Sequence, residues 1–330
     1  MLKKTIVILM ALALCVGSVF AQGGAEGTGE KSYTVNVAST FAAEGPIHEV
    51  LTNFKAELEE ATNGRIKVVI HPSGALGGVR EVCEGLKAGT IEMGAIAFED
   101  LTYYAPEYSI LEAPYLFRDL DHFINTMNTL GEEIFEEIEP LTGSITAAWV
   151  YRGSRMVTAN KPIYHPSDLK GLKFRLPSMQ DRIAVFEALG ASPTIVDFTE
   201  LYMAMKTGTV DAEENPPETI YSYKYYECQK YLMLTSHVYA AARYTISSSW
   251  FKTISEADQE LILKTWKSAA AKVSEKYPDP DQTYIALLKE AGMEVIEPDK
   301  SEFMEIAAPV IAEYNEKNWK PGLMERIQSL

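Results

Sequence analysis

The sequence predicts an α/β protein with enough material for two domains. Three observations point there. Strand-like and helix-like patterns alternate from Tyr33 onward. The chain has 330 residues, of which 47% are hydrophobic and 23% charged, an ordinary globular composition. No repeat or low-complexity tract interrupts it beyond a short glycine-rich lead-in.

The first 21 residues stand apart. Met1-Leu2-Lys3-Lys4 is a basic start, Thr5 to Leu14 is apolar, and Val19-Phe20-Ala21 fits small-residue cleavage. Residues 1–21 are therefore expected to be a signal peptide, placing the processed protein in the periplasm. Leu12-Ala13-Leu14-Cys15 offers a second reading, a lipid anchor on Cys15, although the leucine before the cysteine fits poorly. Residues 22–32 read as a flexible lead-in.

Tyr33 to Ala38 alternates as a strand, and Pro46 opens a helix with Ile47, Val50, Leu51, Phe54 and Leu58 on one face. Asn63-Gly64 stops it, and Arg65 to His71 is a second strand. Pro72 to Gly78 is glycine-rich and precedes a helix, Val79 to Ala88. Such a loop can hold an anion on backbone amides, but it lacks a nucleotide-loop ending and reads first as a turn. Gly89 to Ala97 is a third strand. Ligands in open α/β sheets gather at the carboxyl ends of strands, which makes Ser39, Phe98 and Glu99 candidate liners.

Asp121 to Glu137 reads as a helix, and Ile145 to Tyr151 as a strand leaving the first domain. Gly171 to Pro177 alternates, with Lys173 and Arg175 opposite Leu172, Phe174 and Leu176. Ser178 is expected to cap a helix carrying Ile183, Phe186 and Leu189, followed by a strand from Ser192 to Phe198. A short helix, Glu200 to Lys206, precedes the loop Glu213-Glu214-Asn215-Pro216-Pro217. Tyr221 to Tyr231 reads at helical spacing and Tyr239 to Ser247 as a returning strand. Ser255 caps a helix that Pro278 and Pro280 interrupt. It resumes from Tyr284 to Ala291, and Met293 to Pro298 is a short strand before a mostly helical end.

Three polar residues between Arg152 and Pro217 are the leading candidates for a site: Arg155, Arg175 and Asn215. A guanidinium matches a carboxylate with two parallel bonds, so two arginines and an amide suit a small organic acid. The formal net charge is −16, near −18 once Lys3 and Lys4 leave with the leader. That argues against nucleic acid and anionic membrane surfaces as partners. An acidic protein must hold an anion with local cations.

No catalytic or cofactor motif emerges. The five histidines, His48, His71, His122, His165 and His237, show no metal-ligand spacing, and there is no Cys-x-x-Cys or Gly-x-Ser-x-Gly. Acidic runs such as Glu132-Glu133 and Glu136-Glu137 read as solvated faces. Cys83 and Cys228 read as free thiols. No cofactor is expected.

From Tyr33 to the C-terminus the chain resembles the extracytoplasmic solute-binding proteins of tripartite ATP-independent periplasmic (TRAP) transporters, dicarboxylate-binding type. The resemblance runs through Leu76-Gly77-Gly78, Gly89 to Met93, Gly153-Ser154-Arg155, Lys161-Pro162, Asp168 to Lys173, Arg175, Pro177, Leu189-Gly190-Ala191, Glu200-Leu201-Tyr202, Gly208 to Asp211 and Glu214-Asn215-Pro216. It implies that Arg175 makes the main salt bridge to a ligand carboxylate, with Arg155 as second arginine and Asn215 as amide ligand. Phe198 would cover the ligand, with Glu99 a looser match. The implied fold has two domains around a hinge cleft, crossing strands and a long interdomain helix. Residues 33–152 plus 241–280 would form one domain, and 153–240 plus 281–330 the other. The implied role is capture of an organic acid by a monomer that delivers it to a permease driven by an ion gradient. An enzyme or sensor partner on the same scaffold is the alternative reading.

Overall fold

The computed structural model describes residues 31–330. The expected signal peptide, Cys15 and most of the lead-in lie outside the described residues. The fold begins with β1 (Tyr33–Ser39), α1 (Gly45–Ala61), β2 (Ile66–His71), α2 (Val79–Ala88) and β3 (Met93–Ala97). α1 starts with proline in its first turn and buries Ile47, Val50, Leu51, Phe54 and Leu58. It ends where Asn63 and Gly64 take φ of 49° and 75°. β1 pairs in parallel with both β2 and β3. The third strand starts later than its pattern suggests, because Gly89 is the left-handed cap of α2, at φ 76°.

The chain then passes through α3 (Leu101–Tyr104) and α4 (Leu120–Thr142) to β4 (Ser144–Ala159). Asp119 caps α4 by accepting the His122 amide. β4 has 16 residues and its antiparallel partner, β8 (Tyr231–Ser247), has 17. The expected strands Ile145 to Tyr151 and Tyr239 to Ser247 are only the outer parts of these crossing strands. Arg152-Gly153-Ser154-Arg155 breaks the apolar pattern of β4, yet the ladder continues through it with register shifts at Tyr151/Gly153 and Arg155/Val157.

Beyond the crossing come β5 (Lys173–Leu176), α5 (Gln180–Ala188), β6 (Ser192–Ile195), α6 (Leu201–Lys206), β7 (Ala212–Asn215) and α7 (Pro217–Ser222). β5 pairs in parallel with β6 and β7, and β7 runs antiparallel to β4. Four expectations are corrected here. Asn215 is not in a loop but ends a buried strand, whose two glutamates disguised it. Ser178 does not cap α5; Met179 precedes that helix without a side-chain bond. β6 stops at Ile195, and Phe198 opens a 3₁₀ turn. Tyr221 to Tyr231 is not one helix, since Lys224 turns the chain at φ 58° between α7 and a second 3₁₀ turn.

The C-terminal part holds α8 (Ser248–Phe251), α9 (Glu256–Lys276), α10 (Asp281–Glu290), β9 (Glu294–Ile296), α11 (Lys300–Lys317) and α12 (Leu323–Gln328). Ser255 caps α9 by accepting the Asp258 amide. The sheet order is β2-β1-β3-β8-β4-β7-β5-β6, with β9 paired to β8. Two parallel groups, β2-β1-β3 and β7-β5-β6, thus flank the crossing pair. One apolar core joins α1 and α9 over the first group, where Phe54 stacks on Trp266 at 3.6 Å. A larger one joins α4, α5 and α11. The helix between the halves is broken: α9 lies on α1 and β4, α10 on α7 and β9, and Tyr277 to Pro280 separate them. Cys83 and Cys228 are free thiols.

Candidate functional site

Five of the six candidates sit at the carboxyl ends of parallel strands. Ser39 ends β1, Glu99 follows β3, Arg175 is next to last in β5, Phe198 follows β6 and Asn215 ends β7. Contacts join the two rims. The Tyr223 hydroxyl donates to the Thr40 carbonyl, and the Arg152 guanidinium lies 5.1 Å from the centre of the Phe41 ring. A methyl group added at Gly74 would lie 2.7 Å from the Thr199 methyl.

Arg175 is 1% exposed. Its Nε donates to the Val196 carbonyl at 2.9 Å, and its two terminal nitrogens make no hydrogen bond among the described residues. Burial lowers its pKa, and Glu99 is the leading group that opposes this. Glu99 responds in kind: burial raises its pKa and Arg175 is the leading restraint. Each therefore acts on the other as a partial counter-charge.

Asn215 shares the Arg175 face of the sheet. Phe174 pairs with Ala212, so the alternation puts Arg175 on the side of Glu213 and Asn215. The Asn215 amide nitrogen donates to Glu213 Oε2 at 2.6 Å, and the Thr158 hydroxyl donates to Glu213 Oε1 at 2.7 Å. Burial pushes the Glu213 carboxyl up to about 7.

Arg155 lies on the other face. Val157 is opposite Glu214 in the ladder, and Arg155 grips both carboxylate oxygens of Glu214 through Nε and Nη2. Glu214 also accepts from Arg182 Nη1 at 3.2 Å and His237 Nε2 at 3.0 Å. Burial alone would raise the Glu214 pKa, but Arg155 and Arg182 hold it well below the usual carboxylate range. Arg182 continues the network to Glu112 Oε2 at 2.7 Å. Arg155 is thus a buried counter-ion as well as a candidate ligand group, with Nη1 as its uncommitted nitrogen among the described residues.

Three buried arginines, Arg152, Arg182 and Arg243, escaped the sequence reading. Arg182 belongs to the inward face of α5 with Val185 and Phe186, a placement readable from its spacing of three and four residues. Arg152 is buried on β4, and its Nη1 lies 3.4 Å from the Thr219 hydroxyl. Burial, aided by Arg155, lowers its pKa to about 10.

The remaining candidates are positioned more loosely. Ser39 is buried and its hydroxyl oxygen accepts the Phe41 amide at 3.2 Å. Phe198 is half-buried and meets Tyr223 edge-on at 4.9 Å. In the glycine-rich loop, the amides of Ser73, Gly74 and Gly77 bond to carbonyls of Phe41, Ser39 and Gly74. Among the described residues no His, Cys, Asp and Glu group is arranged to hold a metal, and no helix is long and apolar enough to cross a membrane.

Facing strand ends, a crossing pair between them and buried donors at the junction define a two-domain solute-binding protein. The chain belongs to the bacterial extracellular solute-binding protein family 7, whose model matches residues 37–318. It is a TRAP-type solute-binding protein, a periplasmic class. A solute-binding protein of Verminephrobacter eiseniae is 33% identical over 282 residues, 84% of each chain. A TRAP periplasmic solute-binding protein from Polaromonas sp. JS666, solved with D-erythronate, is 31% identical with a TM-score of 0.85, covering 91% of this chain and 99% of its own. Another from Bradyrhizobium, in complex with α/β-D-galacturonate, is 29% identical with a TM-score of 0.84, covering 90% of this chain and 100% of its own. These likenesses bear out the mixed α/β fold of a TRAP solute-binding protein.

Proposed function

We propose that the chain captures a small organic acid through Arg175 and passes it to the membrane subunits of a TRAP transporter, without catalysis. The observation that carries this is the state of Arg175. It is buried, held in place by one bond to Val196, and has two parallel donors uncommitted among the described residues. Charge-assisted bonds of this kind contribute roughly 1.5–3 kcal/mol each. In this reading Asn215 donates its second amide hydrogen to the ligand, Arg155 adds a donor from the crossing strand, and Phe198 covers the ligand. Ser39 and Glu99 meet it from the opposite rim.

A sugar acid fits better than a four-carbon dicarboxylate. Glu99, restrained by Arg175, and Glu218, a buried residue of α7 restrained by Arg152, suit hydroxyl hydrogens better than a second carboxylate. The acids bound by the Polaromonas and Bradyrhizobium relatives support this choice. Closure brings residues 33–152 plus 241–280 against 153–240 plus 281–330, because the ligand reaches both rims only when they meet. The processed chain works as a monomer released by cleavage after residue 21.

A thermal-shift screen of the leaderless protein against uronates, aldonates, monocarboxylates and dicarboxylates tests this. Ligand at one hundred times its dissociation constant adds about 2.7 kcal/mol of stability. A shift confined to hydroxylated acids supports the reading. A shift with dicarboxylates alone would move the substrate class, and none with any acid would refute it.

A further inference from the structure

Glu213 has a setting unlike that of its neighbour. It is wholly buried between two donors, the Asn215 amide at 2.6 Å and the Thr158 hydroxyl at 2.7 Å, and among the described residues no cation bonds to it. Of the arginines at this end of the sheet, Arg155 and Arg182 bond to Glu214 on the opposite face, and Arg175, which shares the Glu213 face, bonds to the Val196 carbonyl instead. Glu214 and Arg155 act on Glu213 only at a distance, in opposite senses. The Tyr225 hydroxyl, in the turn after α7, lies within electrostatic reach of it. That hydroxyl is buried, without a hydrogen bond among the described residues, and coupled to both Glu213 and Arg175.

We propose that Glu213 is a positioning residue that orients the Asn215 amide and takes up a proton when an anionic ligand binds. The inference rests on the reading that Arg175 and Asn215 hold a carboxylate. The Asn215 amide has two hydrogens. One is given to Glu213, so a ligand carboxylate on the other makes two anions neighbours on a single donor. In a dry site this costs far more than in water. The ligand is held ionised by Arg175, whereas Glu213 has no such partner.

Protonation resolves the conflict by reversing one bond and keeping the other. A proton from solvent on Oε1 is donated to the Thr158 oxygen, whose own hydrogen rotates away, while Oε2 still accepts from Asn215. Burial has already brought Glu213 near neutrality, so an arriving anion needs to raise its pKa only modestly. Binding then consumes a proton, and affinity weakens as pH rises above about 7.

Calorimetry of the leaderless protein with D-galacturonate, D-glucuronate, D-erythronate and succinate, in two buffers of different ionisation heat, counts that proton directly. We expect fractional proton uptake at pH 7 and affinity that falls from pH 6 to pH 8.5, about tenfold for each unit by which the ligand shifts Glu213. In Glu213→Gln, which preserves both hydrogen bonds, uptake vanishes and the profile flattens. Equal heats in both buffers with a flat native profile would overturn the inference alone. Absence of binding by all four acids would overturn the ligand reading and this inference with it.

Discussion

Asp281 accepts the backbone amide and the hydroxyl of Ser154 together, its Oδ2 lying 2.9 Å from the nitrogen and 2.6 Å from Oγ. The Tyr151 hydroxyl adds a third bond at 3.2 Å. Asp281 opens α10 directly after the Tyr277 to Pro280 break, so the break places a carboxylate on β4 between Arg152 and Arg155. Removing it leaves three donors unmatched in a buried place. Asp281→Ala should cost about 2–4 kcal/mol of stability and also weaken ligand affinity, through the displaced arginines. Urea unfolding and calorimetry measure the two effects; stability lost with affinity intact would show that the clasp does not position the arginines.

Gly153 sits under the same carboxylate. Its φ is 112°, and an added methyl would lie 2.5 Å from Asp281 Oδ1. Gly208 has φ 72° with nothing within 4 Å. Gly208→Ala should therefore cost about 1 kcal/mol, for backbone conformation alone, and Gly153→Ala at least twice that. Equal losses in denaturant midpoint would remove the steric part of this account.

Glu214 is the anion of the buried network that holds Arg155, Arg182 and His237. Glu214→Gln keeps the shape but strands the Arg155 guanidinium and leaves Arg182 with Glu112 alone, which should destabilise the fold by about 3–5 kcal/mol. A variant with native stability would mean that Arg155 is held by its surroundings rather than by this carboxylate.

Stability should rise on mild acidification. Burial pushes Asp100, Asp181 and Asp281 each up to about 6, and Glu213 to about 7. A carboxyl raised in the folded state adds stability fully present below its unfolded value, about 4, and lost as pH rises through the folded value. The window for loss is therefore about pH 4 to 7. Glu214 works in the opposite sense, since its folded pKa is depressed and its contribution disappears only in stronger acid. Thermal midpoints should be several degrees higher at pH 5.5 than at pH 8 and fall again below about pH 4. A midpoint that climbs steadily from pH 5 to 8 would contradict these buried protons.

The local elements were legible where hydrophobic period and capping chemistry agreed. Pro46 and Asn63-Gly64 bounded α1, and Ser255 started α9. The strand ends that carry Arg175 and Glu99 were also readable from alternation. Legibility failed where buried residues are charged. β7 reads Ala-Glu-Glu-Asn, which no apolar pattern betrays, and β4 continues through Arg152 to Arg155 because its polar side chains find buried partners rather than solvent. Arg182 was missed because an arginine on an apolar helix face is easily assigned to water. The placement of Arg155 and Asn215 on opposite faces needed the register of β4 with β7, which is long-range information.

The most direct test is titration calorimetry of the leaderless protein and its Arg175→Ala variant with the acid that gives the largest thermal shift. Circular dichroism should show the variant folded. Losing two charge-assisted bonds should weaken binding roughly 10²–10⁴-fold, moving a micromolar ligand to about 0.1–10 mM. A folded Arg175→Ala protein that keeps its affinity within a few-fold would contradict the claim that this guanidinium anchors the ligand.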